Sequence, residues 1–291
     1  MRQTRFKIAK KDIIALFEDY AKNIFSYDDI SKILDENRRF WRLPVNLTAN
    51  AFIGLLTDHT KLKRYEINFP REKILRFAWG EISAFSLALN LKKNSYFTHY
   101  TALFWHNLTD QIPKTIYVNY EQSKKNAKDA ELAQDRIDRA FSNRPRISSN
   151  IAAFGDHKIC LLNGKFTNRT GVTEIITPEN DKIMVTEIER TLIDVVVRPA
   201  YSGGIHEVLN AYKKAAGRVS INKLSAMLRK LNYIYPYHQA IGFYLQRAGV
   251  YREAQIRLLK KFDFEFDFYI THQMKETEYS KEWRLYYPKG F

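Results

Sequence analysis

Cysteine is nearly missing: Cys160 stands alone in 291 residues, so no internal disulfide can form. A reducing compartment is the expectation. Long apolar runs are also missing, and none reaches the length that crosses a bilayer. The first residues, Met1 to Lys11, are basic but lack the apolar stretch of a secretory signal. Together these absences predict a soluble, cytoplasmic protein with no membrane contact. The Asn-x-Thr triplets at Asn46, Asn107 and Asn168 then carry no glycosylation meaning. No internal repeat, low-complexity segment or long linker interrupts the chain. Several catalytic signatures are incomplete. Gly164-Lys165 lacks the upstream glycine and the Ser/Thr of a phosphate-binding loop. There is no Gly-x-Ser-x-Gly elbow and no Cys/His nucleophile pair. His157 and Cys160 give half of a metal spacing without a second pair.

Acid is in deficit. The 47 Lys and Arg outnumber 32 Asp and Glu, giving a formal net charge of +15 and a pI near 9.6. That balance points to a polyanionic partner. Eighteen tyrosines and nineteen phenylalanines keep RNA or single strands open, since bases stack on exposed rings. Hydrophobic content of 45% describes a folded chain with room for two or three domains.

The stretch from Ser26 to Trp79 organises the reading. Ser26 is a good N-cap, and Asp28 and Asp29 favour the helix dipole behind it. Ile30, Ile33 and Leu34 repeat at helical spacing. The turn that follows holds Arg38, Arg39 and Arg42 within five residues. Thr48 caps a second helix with apolar Phe52, Leu55 and Leu56, and Asn46, Thr48 and Asn50 lie at its start. In a helix-turn-helix that end meets base edges in the major groove. Next, Lys61 to Phe69 alternates like a strand, Pro70-Arg71 turns, and Lys73 to Trp79 pairs back. This is the pattern of a winged helix. Arg38, Arg39 and Arg42 are expected to clamp backbone phosphates, and Asn46, Thr48 and Asn50 to read bases. Lys61, Lys63, Arg64, Arg71 and Lys73 would form the wing. Upstream, Asp12 to Ile24 predicts the unit's first helix, with Arg2, Arg5, Lys7, Lys10 and Lys11 as a basic arm before it. A small helical lobe with solvated charges is the competing reading.

Beyond Trp79, Ile82 to Leu91 predicts a linking helix and His99 to Leu108 another. Thr115 to Val118 reads as a strand after the Pro113 turn, and Lys124 to Phe141 as a helix stopped by Pro145. Strand periods then take over: Ile151 to Phe154, a Gly155-Asp156 turn, Lys158 to Leu162, Val172 to Ile176 and Lys182 to Val185. A helical run follows from Thr186 to Lys261, with Pro199, Ser220, Pro236 and Gly249 as its punctuation. Finally Phe262, Phe264, Phe266 and Phe268 alternate with acids, predicting a strand that pairs with Trp283 to Tyr287.

Several of these stretches resemble the AbiEi family of antitoxins from type IV toxin–antitoxin and phage abortive-infection systems. They are Thr98 to His106, Gln111 to Val118, Arg136 to Phe141, Val185 to Asp194, Arg198 to Gly204 and Tyr235 to Leu245. Order and spacing match over roughly Ser95 to Pro288, and Glu189-Arg190-Thr191-Leu192-Ile193-Asp194 followed by Gly203-Gly204 is a fairly specific pairing. The N-terminal part matches less closely by motif. The resemblance implies an autorepressor that binds repeats in its own promoter through a winged helix. It also implies an antitoxin that counters a nucleotidyltransferase-type toxin, its functional partner, without requiring direct contact. Inverted repeats would seat two copies on double-stranded operator DNA.

Two other classes stay open. Glu187, Glu189 and Asp194 could hold ions in a metal-dependent nucleic-acid-processing enzyme. On a helix, however, only Glu187 and Asp194 share a face, no Glu-x-Lys follows, and ion pairs tying helix to sheet explain Glu189 and Arg190. Alternatively, Thr186 to Lys261 could sequester a partner protein directly. His99 and His106, seven apart, read as packed histidines, and Gly203-Gly204 as a turn. The expected fold is α+β: a winged-helix DNA-binding domain over 1–80, a linking helix over 81–94, and an α+β antitoxin domain over 95–291. That last domain comprises strands, a helical run and a final β-hairpin. No cofactor, metal or catalytic residue is expected.

Overall fold

The computed structural model describes residues 2–124 and 132–291, with residues 2–4 described by their backbone only. It is an α+β fold with three sheets. The chain divides into two compact units, Met1–Lys93 with Asn150–Asp156, and Asn94–Ser149 with His157–Phe291.

Helix α1 (Arg2–Asp19) opens the first unit. It corrects the expectation of a basic arm followed by a helix over Asp12 to Ile24. Phe6, Ala9, Ile13 and Phe17 recur at three- and four-residue steps and are all buried, so one apolar stripe carries the helix back over the basic residues. Arg5, Lys7, Lys10 and Lys11 therefore ride on a helix, and Ile24 leaves it for strand β1 (Ile24–Phe25).

Helix α2 (Tyr27–Asn37) begins at a capping box in which the Ser26 N–H donates to Asp29 Oδ2 at 2.7 Å and the Asp29 N–H to Ser26 Oγ at 3.1 Å. Ile30, Ile33 and Leu34 fill its buried face. Thr48 caps α3 (Ala49–His59) by accepting from the Ala51 N–H, and Phe52, Ile53 and Leu56 turn inward. Strands β2 (Leu62–Asn68) and β3 (Lys73–Trp79) pair antiparallel from Leu62↔Trp79 to Asn68↔Lys73. β1 joins the far side of β3, so the sheet order is β1-β3-β2. The Phe17 ring stacks on Trp79 at 4.7 Å and Trp41 on Phe52 at 5.8 Å, locking sheet and helices around one core. Helix α4 (Ala84–Leu89), capped by Ser83, completes the unit. Its C-terminal end is held by Arg76, whose guanidinium donates to the Asn90 and Leu91 carbonyls.

In the second unit, β4 (Tyr96–Phe97), α5 (His99–Trp105), β5 (Thr115–Glu121) and α6 (Gln134–Ser142) come first. The expected helix over Lys124 to Phe141 lies partly outside the described residues; its described part is α6, anchored by Ile137 and Phe141. Strand β6 (Ile151–Phe154) groups with the first unit, where Phe154 meets the Tyr65 ring at 5.7 Å. After the Gly155-Asp156 turn, with Gly155 at φ 55°, come β7 (His157–Gly164), β8 (Val172–Ile176) and β9 (Lys182–Thr186). The second unit's strands run β7-β5-β4-β9-β8.

Helix α7 (Ile188–Val197) is buried at every position from Glu189 to Val196. It is surrounded by α5, by α8 (Ile205–Lys214) and α9 (Ile221–Leu231), and by α10 (Tyr237–Ala248), which stops at Gly249 with φ 70°. A short α11 (Glu253–Ile256) follows.

The terminal sheet differs from the expected pairing. Only Phe268–Tyr269 (β10) is a strand, and it runs parallel to β12 (Leu285–Pro288); the hairpin partner of β12 is β11 (Thr277–Ser280). The alternating phenylalanines before it do not extend β10, because side chains take their backbone carbonyls. Gln239 donates to the Phe266 carbonyl and Arg284 to that of Phe264, while the Phe262 and Phe264 rings pack on His238 at 5.0 Å.

Candidate nucleic-acid interface

The N-terminal 93 residues, which make up most of the first unit, carry charge out of proportion to their length. Residues 1–93 hold 18 Lys and Arg against 11 Asp and Glu, a formal +7, so the remaining 198 residues share +8 of the total +15. The cations expected at nucleic acid lie on the α2–α3 loop and the β2–β3 hairpin, and the polar, uncharged start of α3 follows the loop.

The loop is built by alternation. Trp41, Leu43 and Leu47 are buried, which turns Phe40, Arg42, Val45 and Asn46 outward. Arg42 sits at φ 53°, a left-handed position that lets the chain reverse. Arg38 does not face solvent as a phosphate clamp. Its Nη1 donates to the Pro44 and Leu47 carbonyls at 2.9 and 2.8 Å, and its Nη2 pairs with Asp35 at 3.0 Å. Its donors, expected at phosphate, are taken up by the Pro44 and Leu47 carbonyls of the loop and by Asp35. Arg39 and Arg42 are exposed and without a partner among the described residues.

At the start of α3, Asn46 and Asn50 are exposed and likewise unpartnered among the described residues. Thr48 is exposed too, but its hydroxyl already accepts the Ala51 amide at 3.3 Å. Its O–H and one lone pair remain to face outward.

On the hairpin, most cations are paired. Lys61 meets Glu18 at 2.9 Å and Lys63 meets Glu81, a contact that raises the lysine above its ordinary pKa. Glu66 receives both Arg64 at 3.5 Å and Lys73 at 3.1 Å. Exposed pairs of this kind are worth about 0–1 kcal/mol, so a phosphate can displace the carboxylate. Arg71 at the turn is exposed and has no partner among the described residues.

The side chains that sequence reasoning misses here are Phe40, 73% exposed, and Val45, 90% exposed. Phe40 lies between Arg39 and Arg42 in the chain, and Val45 follows them. Nothing in their type marks them as surface residues; only the burial of Trp41 and Leu43 reveals it.

The acidic stretch of the second unit is tied into ion pairs. Arg190 Nε donates to Asp194 Oδ1 at 2.7 Å, and Thr98 donates to Asp194 Oδ2 at 3.0 Å. Burial works to lower the Arg190 pKa, but the adjacent Asp194 charge reverses this and holds it above the usual arginine range. Lys223 bridges Glu187 and Glu189, and Glu189 also accepts the Ser220 amide at 2.9 Å. Among the described residues no group of three or more His, Cys, Asp or Glu side chains could hold a metal ion.

The other singled-out groups also have packing roles. His106 bonds the Thr186 carbonyl at 2.6 Å, and His157 the Pro113 carbonyl at 3.1 Å. Cys160 is fully buried, which pushes its thiol up to about 11. Lys165 caps the end of α9 by donating to the Leu231 and Asn232 carbonyls. Gly203 and Gly204, at φ 79° and 88°, make the turn into α8.

No protein-family model matches the chain, and no curated protein matches it. Its fold is similar to the crystal structure of the RV2827C protein from Mycobacterium tuberculosis, with a TM-score of 0.58 at 14% identity. The match covers 96% of this chain and 90% of that one, a likeness of fold across both units. No described helix is long and apolar enough to cross a membrane.

Proposed function

We propose that the chain is a DNA-binding autorepressor and antitoxin of the AbiEi type, and that its first unit is a winged helix. The order helix, strand, helix, helix, strand, strand, with sheet order β1-β3-β2, supports the winged-helix reading. In that reading α3 enters the major groove and the β2–β3 hairpin is the wing that lies along the backbone. The observation that carries the proposal is the set of Arg39, Arg42 and Arg71, exposed and without a partner among the described residues, the first two in the loop leading into the polar start of α3 and the third at the hairpin turn. Arginines held in this way neutralise phosphates and fix register, while Asn46 and Asn50 supply the amides that read base edges. The antitoxin half rests on the resemblance over Ser95 to Pro288. There the second unit would counter a nucleotidyltransferase-type toxin with or without touching it, and inverted repeats would seat two copies on the operator.

The test is binding of the full chain to duplex DNA from its own upstream region and to a scrambled duplex, at two salt concentrations. Preference for the native duplex that survives the higher salt supports the repressor. Equal, salt-quenched binding to both refutes it and leaves the charge as a sticky polyanion surface.

A further inference from the structure

Two residues on α3 work against the helix that carries them, and nothing among the described residues accounts for either. Phe52, Ile53 and Leu56 face the core; Asn50, Gly54 and Asp58, spaced by four, run along the opposite side. Gly54 lies mid-helix, where glycine is a poorer choice than alanine. Its φ is not positive, and a Cβ added there would meet nothing within 4 Å. Neither backbone conformation nor packing among the described residues calls for it. Asp58 sits in the last turn, where the helix dipole disfavours an acid. It is exposed and has no ion pair among the described residues, and Lys61, three residues on, turns to Glu18 instead. An uncompensated carboxylate on the reading helix of a basic unit also repels phosphate. Local rules broken without internal compensation mark contacts made outside the chain.

We infer that Gly54 lets α3 approach the floor of the major groove of duplex DNA, and that Asp58 accepts a hydrogen bond there from a base amino group. The two act together, because a carboxylate on so short a side chain reaches a base only if the helix comes close. The available donors in that groove are cytosine N4 and adenine N6. This assignment rests on the operator-binding reading above and adds what α3 discriminates on the strand it contacts: cytosine or adenine, which present an amino group, against guanine or thymine, which present only acceptors.

The experiment is selection from a random duplex pool with the full chain and its Gly54→Ala and Asp58→Ala variants, together with thermal unfolding of each. The wild type should enrich a motif. Asp58→Ala should lose discrimination at one cytosine or adenine position, from roughly tenfold to none. Its affinity for random duplex should rise, and the base at the relaxed position identifies the donor. Gly54→Ala should bind the motif on the order of tenfold more weakly while its unfolding midpoint rises by about 2–4 °C. That combination separates groove approach from a folding defect. An Asp58→Ala motif unchanged at every position, or Gly54→Ala binding at wild-type strength, overturns the inference and leaves the operator reading standing. A wild type that enriches no motif overturns both.

Discussion

Replacing Arg39 by Gln and Arg42 by Asn removes two exposed guanidinium charges that have no hydrogen bond or ion pair among the described residues. Asparagine suits position 42 because the backbone there sits at φ 53°, which asparagine tolerates. Neither change touches the core, since Trp41 and Leu43 keep their buried places. Each phosphate contact contributes about −0.9 to the slope of log K against log salt. Losing both should flatten that slope by roughly 1.8, so a fourfold rise in salt should cost the variant about twelvefold less affinity than it costs the wild type. The assay is titration of a fluorescent duplex at four or five salt concentrations. Arg38→Ala is the control. It deletes donors to the Pro44 and Leu47 carbonyls and should cost about 2–3 kcal/mol of stability while leaving the slope within error of the wild type. An unchanged slope in the double variant, or a flattened slope in folded Arg38→Ala, would refute the division of labour drawn from the loop.

Three further outcomes are expected. Gly242→Ala would set a Cβ 1.9 Å from the Trp283 ring, which is fully buried and donates to Gln246, so unfolding should come about 3 kcal/mol sooner; a midpoint within one degree of wild type would count against this packing. Asp194→Ala strands the Arg190 charge in the interior and should cost about 3–5 kcal/mol in urea titration, with a loss below 1 kcal/mol refuting the buried pair. Burial lowers His238 from its ordinary 6.5 to about 4, so between those values the unfolded chain holds a proton that the folded one does not. Stability should fall as pH drops through that window, and His238→Phe should fall less steeply; equal pH dependence would remove the histidine from the account.

Much of the candidate interface was legible because its determinants are local. Ser26 with Asp29, and Thr48 with the Ala51 amide, are capping contacts spanning three residues, so the starts of α2 and α3 follow from sequence spacing. The β2–β3 hairpin was legible from alternation about Pro70-Arg71. What spacing could not reveal is which arginine of the cluster is available. Arg38, Arg39 and Arg42 look equivalent in one dimension, and only the path of the loop brings the Pro44 and Leu47 carbonyls to Arg38.

The sequence by itself determined the α+β class, the absence of an internal disulfide, the basic balance and the helix caps at Ser26, Thr48 and Ser220. Composition and contacts within one turn carry that information. Tertiary structure alone decided the rest. It joined α1 into one helix from Arg2, because Phe6 and Ala9 share a core with residues far along the chain. It cut the Phe262 to Phe268 alternation short, because Gln239 and Arg284 claim carbonyls that a neighbouring strand would have used. It also paired Glu189 with Lys223 and Arg190 with Asp194, giving packing roles to residues that read as candidate ligands. A side chain's partners depend on what folding brings near it, and spacing along the chain does not record that.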